Sequence, residues 1–124
     1  MNREEQLMAR DREFCALAQT KGERAWQTMM MKDVLMGTAG DHPYLEGWDA
    51  IGPGLQALYQ LPSLRFGWEP KHAFVSHDAT LGVTTGTYER TYLRDGIPVR
   101  QVGKYVTVWE RRDSDWWVRF DMGN

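Results

Sequence analysis

Apolar residues recur at helical spacing near the start of the chain. Leu7, Met8, Phe14, Cys15 and Ala18 fall on one side, with Arg and Glu opposite. The pattern predicts a helix over residues 2–19, closed by Thr20-Lys21-Gly22, because glycine is favoured just past a helix C-cap. A shorter helix is expected over residues 23–31, turning Ala25, Trp26, Met29 and Met30 inward and ending at Lys32-Asp33. Val34-Leu35-Met36 reads as a short strand and residues 37–47 as a loop. A third helix should carry Ile51, Leu55, Leu58 and Tyr59 and end at Leu61-Pro62. Inside it Pro53 would lose a hydrogen bond and clash with the preceding turn, so a start near Gly52 is preferred to a longer, kinked helix.

From Leu64 onward the period changes to that of strands. Residues 71–76 and 81–93 are candidates, with a turn at His77-Asp78 between them. Asp95-Gly96 is a hairpin turn leading into a strand over residues 99–108. The β-rich runs Tyr105–Trp109 and Trp116–Phe120 flank a polar break at residues 111–115, which predicts a closing hairpin whose last strand covers residues 116–122. Helices first and a strand meander afterwards is the pattern of an α+β domain with its helices on one sheet face.

The closing hairpin brings charges into apolar strands. With an even loop, Lys104, Glu110, Arg119 and Asp121 share one face, and Trp109, Trp116, Val118 and Phe120 share the other. An odd loop would set Arg119 opposite Trp109. The even register is favoured because it lets Glu110 meet Arg119.

Composition narrows the function classes. A chain of 124 residues, 42% hydrophobic and 26% charged, is expected to be a single soluble domain over its whole length. Fifteen basic against seventeen acidic residues give a net charge of −2 with no basic cluster, so no nucleic-acid partner is expected. Six Trp is a rich supply of large side chains that each carry one N–H donor, as a pocket or an aromatic interface would need. The first residues lack the apolar core of a signal peptide, and no run has the length of a membrane span. Cys15 is the sole cysteine, so no internal disulfide forms; together these features predict a cytoplasmic protein.

Several stretches together resemble a known family. They are Gly22-Glu23, Ala25-Trp26, Lys32-Asp33, Gly47-Trp48-Asp49-Ala50-Ile51, Gly82-Val-Thr-Thr-Gly86-Thr-Tyr88, Gly103-Lys104-Tyr105-Val-Thr-Val-Trp109, Trp116 and Asp121-Met-Gly-Asn124. The series is similar to the SnoaL-like, ketosteroid isomerase-like branch of the nuclear transport factor 2-like superfamily. That resemblance implies a cone-shaped α+β fold, in which three helices pack on a curved antiparallel or mixed β-sheet and enclose a pocket. It further implies a homodimer associated through the sheet, and a small apolar organic ligand handled without a cofactor. The superfamily holds isomerases, cyclases, dehydratases and non-catalytic binding domains, so the fold alone assigns no reaction. The residues of ketosteroid isomerisation do not carry over: the expected helix Tyr position holds Phe14 or Cys15, the expected base position lies near Thr38, and the expected strand Asp position lies near Val106.

The candidate residues each admit a structural and a functional role. Asp121 is a candidate base and Lys104 a candidate anion contact, while a bracing ion pair between them is the favoured reading. His42, in the loop before the third helix, is a second acid/base candidate; His72 and His77 read as surface, and the three show no metal-ligand spacing. Trp26, Tyr44, Trp48, Trp68, Lys104, Arg119 and Asp121 make up the candidate pocket lining. Cys15 and the Met29-Met30-Met31 run read as core, and Gly82, Gly86 and Gly103 as bends of a curved sheet.

Overall fold

A computed structural model describes residues 1–124. The first helix, α1 (Arg3–Lys21), starts where the Asn2 side chain accepts a hydrogen bond from the Glu5 N–H at 2.8 Å. It ends at Gly22, whose φ of +55° favours a residue without a Cβ. Its buried stripe is Leu7, Asp11, Phe14 and Ala18, so one carboxylate sits among apolar neighbours.

The second helix, α2 (Glu23–Met29), is shorter than the sequence predicts, because the chain has already become strand β1 (Met30–Met36). Met30 adopts extended angles and pairs with Val118, and Met30 and Met31 are both buried, so the methionine run fills the core from a strand. After β1, part of the predicted loop forms the two-residue strand β2 (Leu45–Glu46).

Helix α3 (Trp48–Tyr59) starts four residues before the expected Gly52 and carries Pro53 inside it. The start is earlier because Ile51 and Leu55 bury on the core from a helix already under way, with the Ile51 N–H bonded to the Gly47 carbonyl at 3.1 Å. Pro53 and Asp49 both face solvent, so water can reach the carbonyl that Pro53 leaves without a donor.

The remaining strands are β3 (Arg65–Val75), β4 (Leu81–Arg94), β5 (Ile97–Arg112) and β6 (Asp115–Gly123), each longer than its sequence pattern indicates. They form one six-stranded sheet in the order β2-β1-β6-β5-β4-β3. β1 and β6 run parallel and every other pair is antiparallel, which makes the sheet mixed. Two tight turns join the long strands: Asp95-Gly96 (φ +51° and +78°) and Asp113-Ser114 (φ +54° and +66°), the positive angles that match hairpin twist. Pro70 is accommodated because β3 is an edge strand and its register shifts at that point.

A second shift decides which side chains face the helices. Trp109 pairs with Val118, but Val108 pairs with Phe120, so Arg119 is an extra residue in β6. Up to Val118 the even-loop register holds, and Trp109, Trp116 and Val118 share the buried face. Beyond Arg119 the alternation reverses. Asp121 therefore faces Thr107 on the helix-covered side, while Phe120 and Lys104 lie on the outer side. The expectations that Lys104 shares a face with Asp121, and Phe120 with Trp109, are thus overturned by one inserted residue. Glu110 sits opposite Trp117 and pairs with Arg112 rather than Arg119.

Close approach explains Gly86, where a Cβ would lie 2.0 Å from the Glu69 carbonyl oxygen at the β3 shift. Gly86→Ala should therefore destabilise the fold by about 1–3 kcal/mol, the usual cost of overpacking. Urea unfolding measures it, and an unchanged midpoint would contradict this packing.

Candidate functional site

The reversed alternation of β6 places an acid beside the inner residues of β5. Thr107 and Asp121 are directly opposite each other, and the Thr107 hydroxyl donates to Asp121 Oδ1 at 2.7 Å. Two residues along β5, the Tyr105 hydroxyl donates to Asp11 Oδ2 of α1 at 2.8 Å. The Trp68 indole N–H, from β3, donates to Asp11 Oδ1 at 2.9 Å. Asp11 is only 1% exposed, so these bonds satisfy a carboxyl that water hardly reaches.

Burial dominates the electrostatics of this group. It pushes the Asp11 carboxyl above its ordinary range, while hydrogen bonds from Tyr105, Trp68 and Thr84 pull it back. Burial also raises the Asp121 carboxyl to about 7; Thr107 opposes the shift and the charge of Asp11 adds to it. The Tyr105 phenol is raised by burial and then by Asp11, so it keeps its proton. Cys15 lies close by, accepting the Trp68 backbone N–H at 3.4 Å, and burial raises its thiol.

Of these groups Trp68, Tyr105, Thr107 and Asp121 border a cavity of about 150 Å³ between the helices and the inner sheet face. Phe14, Trp26, Phe66, Trp68 and Tyr88 supply aromatic wall, and Leu55, Leu58 and Met36 aliphatic wall. The aromatic cluster is ordered by edge contacts: Phe14 lies 4.9 Å from Trp26 and 5.0 Å from Trp68, both nearly perpendicular. Polar groups reach the cavity from one side, through Tyr105, Thr107, Asp121 and Arg90.

Of the residues singled out in the sequence, Trp26, Trp68 and Asp121 line this cavity. Trp26 is held by its indole N–H donating to the Tyr59 hydroxyl at 2.9 Å. Tyr44 is 62% exposed and lies near Phe120, away from the cavity. Trp48 borders a surface groove with Glu23 and Asp49 instead. Lys104 is exposed on the outer face beside Thr87, and Arg119 donates to the Asp33 carbonyl at 2.7 Å. His42 is exposed in the loop before β2. No group of three His, Cys, Asp or Glu side chains is placed to hold a metal ion.

Sequence reasoning missed Asp11, Trp68 as its partner, Tyr105 and Arg90. For Asp11 a signal existed: it lies four residues after Leu7 and three before Phe14, on the apolar stripe itself. Tyr105 adjoins the position near Val106 where the family resemblance expects an acid. Asp11 lies one turn before the position where it expects a phenol. The helix thus supplies the carboxyl and the strand the phenol, an exchange that a search for matching residue types overlooks.

No protein-family model and no curated protein matches this sequence. Solved structures do match its fold. The CamKII hub homology domain of Chlamydamonas reinhardtii aligns with a TM-score of 0.74 at 19% identity, over 100% of this chain and 98% of that one. An NTF2-like protein with a cystatin-like fold from Novosphingobium aromaticivorans gives 0.75 at 14% identity, covering 96% of this chain and 79% of that one. A ketosteroid isomerase-like protein from Erwinia carotovora atroseptica gives 0.74 at 12% identity, covering 94% and 91%. Three helices on a six-stranded mixed sheet are therefore the α+β fold of NTF2-like proteins, shared with these hub and ketosteroid isomerase-like domains. Identities this low establish the fold and leave the activity to the site.

The raised Asp121 carboxyl has a consequence for stability. Its folded value of about 7 lies above the ordinary 3.8, so the folded chain holds this proton more tightly than the unfolded one. Stability is thus highest below pH 3.8 as far as this group is concerned, and falls as pH rises toward about 7. Asp121→Asn, which keeps an oxygen for Thr107, should match the parent at low pH and melt at a higher temperature above pH 7. At ~1.4 kcal/mol per pH unit the gain amounts to a few kcal/mol at most. Equal melting temperatures across the range would show that Asp121 is not shielded from water.

Proposed function

We propose that the chain binds a small, largely apolar organic molecule in the cavity and transfers a proton on it, with Asp121 as the base. The observation that carries this reading is an acid aimed by the Arg119 bulge into an aromatic-walled cavity, where burial tunes it toward neutral pH. The volume is of the order that admits a benzene-sized body. Thr107 orients the Asp121 carboxyl, and the Tyr105–Asp11 pair keeps a phenol oxygen at the same wall. Proton abstraction next to an activating group is the step shared by isomerase, cyclase and dehydratase chemistry, and side chains alone can perform it.

A general carbon acid tests the base without knowledge of the natural substrate. In 5-nitrobenzisoxazole the carboxylate takes the ring C–H proton; the C–H electrons form the nitrile and the N–O bond breaks to a coloured phenolate. Turnover should rise with pH and level off above about 7. Asp121→Asn should slow it by roughly 10²–10⁴-fold, the usual contribution of a positioned base. A variant as fast as the parent would overturn the assignment.

A second reading concerns assembly, and the outer sheet face favours it. Phe74, Val83, Val108 and Phe120 form one row across β3, β4, β5 and β6. On the same face Phe74 is 64% exposed, Val102 55%, Leu81 44% and Met122 38%. Water-exposed apolar surface of this extent suits a second copy of the chain. Light scattering should give a mass near twice 14.4 kDa, reduced to the single-chain value by Phe74→Asp. A parent protein that runs as a monomer would refute association through this face.

A further inference from the structure

Arg90 is the one cationic residue that lines the cavity, and it does so without a carboxylate partner. It sits on the inner face of β4, paired across the sheet with Phe66 and Gln101. Its Nε donates to the Gln101 side-chain oxygen at 2.6 Å, and its guanidinium lies 5.5 Å from the Phe66 ring and 5.5 Å from the Tyr88 ring. Arg10, Arg12, Arg100, Arg112 and Arg119 each meet a carboxylate; Arg90 meets none. Neither of its terminal nitrogens has a hydrogen-bond acceptor in the protein, although the side chain is partly buried.

Gln101 and the two rings hold the guanidinium of this cavity-lining residue and leave its terminal nitrogens without a protein acceptor. A partly desolvated cation held in this way is stabilised most by an anion that can accept two parallel N–H bonds. Asp121 does not fill that role: it makes no ion pair with Arg90, which also does not figure among the groups that shift its carboxyl. The two groups therefore line one chamber without pairing with each other.

We propose that the cavity takes a monocarboxylate with an apolar, ring-sized body, its carboxylate held bidentately by Arg90 and its body lying along Trp26, Phe66 and Trp68. The proposal deepens the reading of the cavity as a ligand site and assigns the substrate class. Arg90 anchors the ligand, while Asp121 meets the part of it remote from the carboxylate.

Phenylacetate and its neutral amide, phenylacetamide, test the proposal by binding alone. Titrations are followed through the indole N–H resonance of Trp26, which lines this cavity, and that of Trp68, which lines it and also borders a surface groove beside Glu69 and Lys104. Phenylacetate should shift both resonances saturably and bind at least tenfold more tightly than phenylacetamide. Arg90→Gln should weaken phenylacetate roughly tenfold or more, the effect of losing a charge-assisted bond, and leave phenylacetamide unchanged. Arg90→Lys keeps the charge but not the fork, so it should recover only part of that loss. It also serves as the decisive variant if Arg90→Gln does not fold. Equal binding of acid and amide, no saturable shift by phenylacetate, or an Arg90→Gln protein with parental phenylacetate affinity would overturn the proposal. These results are separable from the proton-transfer assay. Binding with no turnover of 5-nitrobenzisoxazole would remove the base and keep the anchor, and the reverse would remove the anchor alone.

Discussion

One buried carboxyl, Asp11, joins the first helix to the sheet. Its two oxygens accept from Trp68 on β3 and from Tyr105 on β5, strands that lie on either side of β4. A desolvated acid without those donors would cost several kcal/mol, so helix and strands are held in the one arrangement that satisfies it. The same bonds fix the Trp68 ring against Phe14, and hence much of the aromatic wall. They also hold Tyr105 beside Asp121, whose carboxyl Asp11 helps to raise. Fold and candidate chemistry thus share one buried carboxyl inside an apolar core.

The second constraint is the parity of β6. A strand shows alternate residues to opposite faces, so an inserted residue exchanges everything beyond it. Arg119 is that residue, and its side chain is tied outside the cavity to Asp33. Without the shift Phe120 would point inward and Asp121 outward, and the cavity would be bounded by aromatic and aliphatic groups with no acid on β6. The acid depends on an irregularity of the sheet, which fits the frequent use of bulges to re-aim a side chain.

Within the chamber the charges divide by position. Asp121 belongs to a strand at the middle of the sheet and is supported by a threonine across from it. Arg90 belongs to β4 and is supported by Gln101 and two rings. Both keep an open valence toward the same space, which is what a site needs if it is to hold one end of a molecule and act on another. The outer sheet face has a different character, with apolar rows broken by Lys104, Glu69 and Glu89.

Local pattern was enough for the order of elements. The stripe of Leu7, Phe14 and Ala18, the Asp95-Gly96 turn and the Trp109 and Trp116 runs each carry their structure in neighbouring residues, and the α+β architecture follows. Asp121 too could be named as a candidate from its place among apolar residues. Its partners could not. Asp11 and Tyr105 are 94 positions apart and Arg90 and Phe66 meet across two strands, so no short window contains either pair. Spacing and proximity in sequence put Lys104, Arg119 and Tyr44 near a pocket, and the fold directs each elsewhere. The reason is physical. Hydrophobic period and turn chemistry are local, and the sequence by itself determined what they control: the helices, the strands and their order. Register and the closure of helix on sheet are settled by packing between distant residues, and only the tertiary structure decided that Asp121 faces inward and Lys104 does not.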